Sequence, residues 1–271
     1  MLERFRHDNG VELLQSPRLR DCGATHAFST RIGGVSPPPF DTLNLGTLAK
    51  STEADDDLDD NTNVAENYRR FRAAIGATKK IRVAVRQVHG RGVWQPPAGA
   101  IKSEGVPEAD AIVSGDPRQL LTIRTADCLP VLFATPDAEH VAAAHAGWRG
   151  LVAGVLPATI EGLCEQSGAK PRDLLAAIGP GIGGEAYEVG PEVANAFHGA
   201  GLVSAVRLDF GPRPHVDLRA AAVAQLADAG LVPDRIDTSE ACTLREGERF
   251  FSYRRDGKRS GRHASVISPR G

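Results

Sequence analysis

Two histidines and one cysteine, far apart in the chain, are the residue types best suited to bind a catalytic metal ion. His89 follows a predicted strand, Cys128 lies just past a second, and His145 ends a third. Side chains at the ends of neighbouring strands can converge at one edge of a sheet. Two imidazoles and a thiolate suit zinc, with copper as the alternative, and three protein ligands leave a coordination position open, as in catalytic zinc sites. Water in that position would be acidic enough to supply hydroxide near neutral pH.

The same residues have plainer interpretations, which the sequence by itself leaves open. His89 precedes a glycine and fits a turn, a buried Cys128 fits simple packing, and the spacing of the three residues matches no known zinc pattern. Asp127, beside the thiolate, could orient a ligand or act as a general acid or base. It could equally cap a helix or a turn.

Arg149 is the leading candidate for binding an anion. The segment HAGWRG, from His145 to Gly150, leads from a strand into a predicted helix. The free N–H groups and partial positive charge of a helix N-terminus favour an anion beside Arg149. The alternative is a tight turn in which Trp148 packs and Arg149 is solvated.

Three other segments are weaker candidates. The loop from Arg31 to Ser36 combines a cation, flexible glycines and a hydroxyl, and segment 179–184 is rich in glycine but lacks the ending of a Walker A loop. Segment 250–262 is the most basic part of the chain and predicts a β-hairpin: a strand, an Asp-Gly turn and a return strand over 263–267. Its cations are either solvated or able to neutralise a phosphate: Arg254, Arg255 and Arg262.

The elements that must position these residues are indicated by their hydrophobic spacing. Alternation over 81–89 predicts a strand, and further strands are predicted at 120–124, 131–133, 140–145 and 174–178. Helices are predicted over 64–75, behind capping residues 59–62, over about 148–166, where Pro157 marks a kink or the true start, and from a cap at Asp217 to Gly230. This alternation predicts one α/β domain over residues 1–271, a layered fold with mixed β-sheets flanked by helices.

Bulk composition narrows the classes of partner. The chain has 271 residues, 41% of them hydrophobic, and a net charge of −2, which argues against nucleic acid as the main partner. No apolar segment is long enough to span a bilayer, and residues 1–14 lack the apolar core of a signal peptide. The four cysteines form no CxxC pair, so we expect a reducing, cytoplasmic location. The oligomeric state is left open.

Nine motifs, taken together and in order, resemble the YfiH-type laccase-domain family, once labelled multicopper polyphenol oxidases and now regarded as purine nucleoside phosphorylases. The resemblance covers about residues 24–267. The motifs stand at 26–36, 43–46, 87–90, 109–111, 125–130, 144–150, 178–183, 187–190 and 250–255 with 261–262. Two small departures, Tyr68 between Asn67 and Arg69 and three prolines after Ser36, leave the candidate metal ligands untouched.

The resemblance implies a cysteine-hydrolase-like (YfiH-like) fold and a zinc site at His89, Cys128 and His145. It implies phosphorolysis of adenosine, inosine and methylthioadenosine to a free base and a sugar 1-phosphate, with adenosine deaminase activity in the same pocket. We interpret Asp127 as a proton carrier in deamination. The residues predicted to bind purine nucleoside and inorganic phosphate are Arg31, Ser36, Asn44, Gln87 and Arg149.

Three rival interpretations remain at this point. Cys128 could be the nucleophile of a cysteine hydrolase, with His145 or His89 as its base. A copper ion could support oxidation of phenols, although one mononuclear site with few additional histidines favours this poorly. The chain could also bind a metal or a nucleoside without catalysing a reaction.

Overall fold

Two six-stranded β-sheets, both mixed, form the centre of the molecule. The computed structural model of the protein describes residues 1–46, 59–97, 99 and 106–271. Fourteen strands are found within these ranges: Glu3–Arg6 (β1), Glu12–Gln15 (β2), Thr25–Ser29 (β3), Ile81–Ala84 (β4), Val93–Trp94 (β5), Ala111–Ser114 (β6), Gln119–Thr125 (β7), Leu129–Ala134 (β8), Val141–Ala146 (β9), Leu175–Ile178 (β10), Val206–Arg207 (β11), His215–Val216 (β12), Ile236–Thr238 (β13) and His263–Ser268 (β14).

Seven α-helices accompany the strands in the described part of the chain. They are Pro17–Asp21 (α1), Asn61–Ala74 (α2), Trp148–Ala153 (α3), Val155–Ser167 (α4), Pro191–Gly199 (α5), Leu218–Asp228 (α6) and Tyr253–Asp256 (α7). None of the helices described is both long and apolar enough to cross a membrane.

The first sheet has the order β1-β2-β3-β14-β7-β4, and the second has the order β13-β10-β8-β9-β6-β5. Strand β4 runs parallel to β7, and in the second sheet β10–β13 and β5–β6 are parallel pairs, while the other neighbours are antiparallel. Strands β11 and β12 form a separate short pair. Mixed sheets of this kind were predicted from the sequence and are confirmed.

Three apolar clusters show how the layers pack. Phe28, Leu121 and Ile123 of the first sheet share one buried cluster with Leu132 and Val141 of the second, so the two sheets face each other. A second cluster covers the opposite face of the second sheet with α3, α4 and α6, and a third packs α2 on the first sheet. The order of layers is therefore helix, sheet, sheet, helices.

Local signals predicted the helix ends well. Helix α2 begins after Asp60, whose side chain accepts the N–H of Thr62, and α6 begins after Asp217, whose side chain accepts the N–H of Ala220. The helix predicted over about 148–166 is two helices. Gly154 adopts a left-handed conformation (φ 83°) between them, and α4 ends at Gly168 (φ 74°).

The hairpin predicted for the basic C-terminal stretch was wrong. Ser252 accepts the N–H of Arg255 at 3.3 Å and caps α7, so residues 250–253 do not form a strand. Strand β14 pairs with β3 on one side and with β7 on the other. Both of its edges are occupied, which leaves no place for a hairpin partner.

Candidate active site

A cleft of about 1130 Å³ contains the three residues predicted to bind a metal, His89, Cys128 and His145. Its walls come from the free edge of β4 and the loop after it, the turn between β7 and β8, the start of α3, Tyr187 and the region around α7. This volume exceeds that of a typical small-molecule pocket. The cleft can therefore admit a nucleoside-sized molecule together with a small anion.

The candidate ligands converge as their positions at strand ends predicted. One ligand atom from each of His89, Cys128 and His145 lies within 4.8 Å of the others, and the two imidazole rings meet edge to face with centroids 4.7 Å apart. His145 lies on β9 and Cys128 in the β7–β8 turn. The strand predicted over 81–89 was too long: β4 ends at Ala84, and His89 lies in the loop after it with a left-handed conformation (φ 59°).

The surroundings of this cluster fit a metal ion. Two imidazole nitrogens and a thiolate form a donor set that zinc accepts. Gly147 leaves room for it, because a Cβ at this position would lie 2.9 Å from the Cys128 Sγ and 3.1 Å from the His89 Cδ2. The donor set and the space around it are both present.

The electrostatics of the cluster favour a thiolate. Burial alone would raise the pKa of Cys128, but the charge of His145 and hydrogen bonds from His145 and His89 lower it to about 6. Burial likewise opposes the charged form of His145. The neighbouring thiolate and the carboxylate of Asp110 outweigh burial and raise the pKa of His145 to about 9. A cysteine binds a metal as the thiolate and a histidine as the neutral ring, so the low pKa of Cys128 suits binding, whereas His145 must release a proton to bind.

Asp110 belongs to this site and was not predicted as a functional residue. Its carboxylate is fully buried and lies 2.8 Å from the Nδ1 of His145. Burial would raise the pKa of Asp110, but hydrogen bonds from His145 and from the N–H groups of Gly90 and His89 lower it. The signal in the sequence was the motif at 109–111, which was noted only for its resemblance to the family.

Asp127 lies beside the cluster with both carboxylate oxygens engaged. Its Oδ1 accepts the hydroxyl of Thr243 at 2.6 Å, and its Oδ2 accepts the N–H of Arg254 at 2.6 Å. The residue is 9% exposed and takes a left-handed conformation (φ 90°). These contacts favour a role in positioning the Arg254 segment over a role as proton carrier.

Gln87 lines the cleft, but its amide group is bound within the protein. Its Nε2 donates to the carbonyl of Arg124 at 2.8 Å, and its Oε1 accepts the N–H of Arg124 at 2.9 Å. The two hydrogen bonds tie the loop that carries His89 to strand β7. Gln87 thus supports the site through Arg124.

Arg31, Ser36 and Asn44 were predicted to bind substrate, but the structure places them outside the cleft lining. Arg31 donates to the carbonyl of Asp41 and lines a separate, open cavity of about 540 Å³. Ser36 donates to Asp59 at 2.5 Å. Asn44 accepts the N–H of Arg262 at 2.9 Å, so it supports a residue that does line the cleft.

The cleft wall is rich in arginine. Arg149, which was predicted to bind an anion, lies over the ring of Trp148 at 4.4 Å and is exposed. Within the described residues, neither Arg149 nor Arg124 has a carboxylate partner. Four further arginines line the same cleft: Arg82, Arg86, Arg254 and Arg262. Such a wall is suited to bind a phosphate.

Tyr187, Arg254 and Arg262 line a further part of the cleft. Arg254 lies 4.9 Å from the ring centroid of Tyr187 and donates to the carbonyl of Glu188 at 2.8 Å. Burial raises the pKa of Tyr187 to about 12, so its phenol stays protonated at neutral pH and can donate a hydrogen bond. Arg262 donates to the carbonyl of Ser260 at 2.6 Å, and burial lowers the pKa of its guanidinium.

Comparison with known proteins finds similar sequences that cover nearly the whole chain. The family model described as "Multi-copper polyphenol oxidoreductase laccase" matches residues 25–270. The chain is 42% identical over 258 residues to a protein of Deinococcus radiodurans named purine nucleoside phosphorylase, covering 95% of this chain and 93% of that protein. It is 42% identical over 246 residues to the purine nucleoside phosphorylase YfiH of Escherichia coli K12, covering 90% of this chain and 93% of that protein.

A solved structure supports the fold. The crystal structure of YlmD from Geobacillus stearothermophilus superposes with a TM-score of 0.84 at 29% sequence identity, covering 99% of both chains. The two mixed sheets and their flanking helices are therefore an arrangement that this sequence shares with an experimentally determined structure.

Proposed function

The chain belongs to the family described as multi-copper polyphenol oxidoreductase laccase, the YfiH-type proteins, and on that basis we propose that it is a zinc-dependent purine nucleoside phosphorylase. The observation that supports this most directly is the cluster of His89, Cys128 and His145 inside a cleft whose walls carry arginines. The relatives at 42% identity are named purine nucleoside phosphorylase. The substrates proposed are adenosine, inosine and methylthioadenosine, with inorganic phosphate.

We assign zinc to His89, Cys128 and His145. When bound, zinc supplies Lewis-acid stabilisation of negative charge on the substrate. Copper fits less well. Mononuclear copper sites with two histidines and a cysteine commonly add an axial methionine. The chain has a single methionine, Met1, whose amino group donates a hydrogen bond to Asp237 at 3.0 Å. A multicopper oxidase reduces oxygen to water, which takes four electrons. The described residues contain only this one group of side chains that could hold a metal ion.

The residues of the cleft have distinct tasks in phosphorolysis. Arg124 and Arg149, which lack carboxylate partners among the described residues, bind the phosphate dianion and hold it for attack on the sugar carbon, whose bond to the purine nitrogen breaks as the base leaves with the bonding electrons. We assign phosphate binding to these two arginines in place of Arg31 and Ser36, which lie outside the cleft lining. The protonated phenol of Tyr187 donates a hydrogen bond to the nucleoside. Asp127 holds the backbone of Arg254 at the cleft wall.

Product analysis tests the proposal. Protein of known metal content is incubated with adenosine and phosphate, and the products are identified by chromatography. Adenine with ribose 1-phosphate is expected. Inosine would add the adenosine deaminase side activity implied by the family resemblance, and the absence of all three products would refute the nucleoside assignment.

The cysteine ligand gives a matched pair of variants. Cys128→Ala should lose zinc and reduce turnover to the uncatalysed level, because the thiolate is one of three ligands. Cys164→Ala changes a cysteine on α4, outside the cleft lining, and should keep zinc and activity. Metal analysis and product formation are measured on both, and a fully active Cys128→Ala would contradict the metal assignment.

Each rival interpretation predicts a different experimental result. A cysteine hydrolase would stay active without metal and lose activity on alkylation of Cys128 by iodoacetamide. A polyphenol oxidase would contain copper and turn over a phenolic dye. A binding protein would hold nucleoside or metal tightly without forming product.

A further inference from the structure

Asp110 is a buried carboxylate that contacts both histidines of the candidate metal site. Its Oδ1 accepts a hydrogen bond from the Nδ1 of His145 at 2.8 Å and another from the backbone N–H of His89 at 2.9 Å. Its Oδ2 accepts the backbone N–H of Gly90 at 2.6 Å and that of Val88 at 3.3 Å. The side chain is fully buried, so no substrate reaches it.

The contact with His145 fixes which ring nitrogen faces the cluster. A carboxylate accepts hydrogen bonds and cannot donate them, so the Nδ1 of His145 must carry the proton. The Nε2 is then the nitrogen that faces Cys128, and its lone pair can bind a metal once the proton that it donates to Cys128 has left. The backbone reinforces this geometry, because the N–H of His145 donates to the carbonyl of Asp110 at 2.7 Å. The ring and the strand that carries it are therefore both held by one residue.

The contact with the loop fixes His89 in a different way. His89 has a left-handed backbone (φ 59°), which side chains with a Cβ seldom adopt. Three successive N–H groups, of Val88, His89 and Gly90, converge on the carboxylate and stabilise this turn. Without their acceptor, the turn loses three hydrogen bonds that help to keep the His89 ring close to Cys128.

We propose that Asp110 is a positioning residue that orients both imidazole ligands of the metal site at once. This inference rests on the zinc assignment made above. It goes beyond that assignment because it names one carboxylate, not itself a ligand, as the group that sets the tautomer of His145 and the conformation of His89. Outer groups of this kind typically contribute 10- to 100-fold to metal affinity.

The test compares zinc dissociation constants, measured by competition with a chelator, for the wild-type protein, Asp110→Asn and Asp116→Asn. The control is matched, because Asp116 also accepts loop N–H groups, from Gly99 and Arg118, but lies outside the cleft lining. Asp110→Asn should bind zinc about 10- to 100-fold more weakly. Asp116→Asn should bind it like the wild type.

The outcomes separate the two proposals. A wild-type protein that binds no zinc would overturn the metal assignment, and this inference with it. Tight binding by the wild type with equal binding by Asp110→Asn would overturn this inference alone. Equal weakening by both variants would also overturn it, since any loop-clamping aspartate would then serve.

A second measurement decides the matter if Asp110→Asn fails to fold. In the zinc-loaded wild-type protein, nitrogen NMR of ¹⁵N-labelled histidine reports which ring nitrogen of His145 is protonated. The expected tautomer has the proton on Nδ1 and zinc on Nε2. Zinc on Nδ1 would overturn the inference, because Asp110 would then have no hydrogen to accept from the ring.

Discussion

At the scale of single residues, the candidate site depends on a very small amount of free space. Gly147 has an ordinary backbone conformation (φ −76°), so any L residue could adopt it. It is the side chain that has no room, since a Cβ would lie 2.9 Å from the Cys128 Sγ and 3.1 Å from the His89 Cδ2. The glycine therefore acts on the ligands through volume, and its effect can be measured separately from backbone strain.

Gly147→Ala should weaken zinc binding about tenfold or more, because it displaces a metal ligand. Loss of a group that orients a metal ligand has an effect of this size. The added methyl would lie 2.9 Å from the Cys128 Sγ and must push it aside. The dissociation constant for zinc and the thermal midpoint are measured together. Gly199→Ala, at the end of α5 with no atom within 4 Å of the new methyl, is the control and should bind zinc normally. Normal zinc binding by Gly147→Ala would show that the cluster is looser than the structure indicates.

At the scale of elements, the boundary between α3 and α4 decides where the start of α3 lies relative to the cleft. The apolar spacing over 148–166 is continuous and predicts one helix, with Pro157 as its only irregularity. The structure breaks the helix at Gly154 instead, and Pro157 occupies the first turn of α4, where proline is tolerated. The short α3 can thereby take its own direction and present Trp148 and Arg149 to the cleft.

Gly154→Ala should destabilise the protein by about 1 kcal/mol, because alanine is strained in a left-handed conformation. No atom lies within 4 Å of the new methyl, so packing adds nothing to the cost. Urea unfolding measures the difference in free energy. The same Gly199→Ala control, where φ is not left-handed, should leave stability unchanged or slightly higher. An unchanged stability in Gly154→Ala would show that the break is not imposed by glycine.

At the scale of the whole molecule, the centre of the first sheet contains a histidine that folding keeps neutral. Burial is the main cause that lowers the pKa of His263 to about 3, with the charges of Arg31 and Arg262 acting in the same direction. Its Nε2 accepts the N–H of Phe251 at 2.8 Å. The unfolded chain binds a proton here below pH 6.5 and the folded chain does not, so stability must fall as the pH falls from 6.5 toward 3.

The wild-type protein should lose stability between pH 7 and pH 4.5, and His263→Gln should make this loss about 2 kcal/mol smaller. The reason is that glutamine keeps the acceptor for Phe251 and does not titrate. Free energies of unfolding are measured by urea titration at the two pH values. His198→Gln, on the exposed side of α5, is the control and should keep the wild-type pH dependence. Parallel pH dependences for the wild type and His263→Gln would contradict the prediction.

The sequence by itself determined those features that depend on neighbouring residues. Asp60 and Asp217 predicted helix starts and Gly168 a helix end, because a cap bonds to N–H groups two or three residues away. The three candidate ligands meet as expected, although the sequence alone left plainer interpretations open and placed His89 at the end of a strand that stops at Ala84. The order of nine motifs was sufficient to predict the family, although the grouping with cysteine-hydrolase-like folds remains a prediction.

Only the tertiary structure decided what the polar side chains around the ligands do. Asp110 reaches His145 across 35 residues, Gln87 reaches Arg124 across 37, and Asn44 reaches Arg262 across 218. Arg31 was predicted to bind substrate and lies at another cavity for the same reason. Whether a polar group faces a ligand or a backbone amide depends on which strands lie side by side, and the pairing of strands is a property of the packed sheets, not of local sequence.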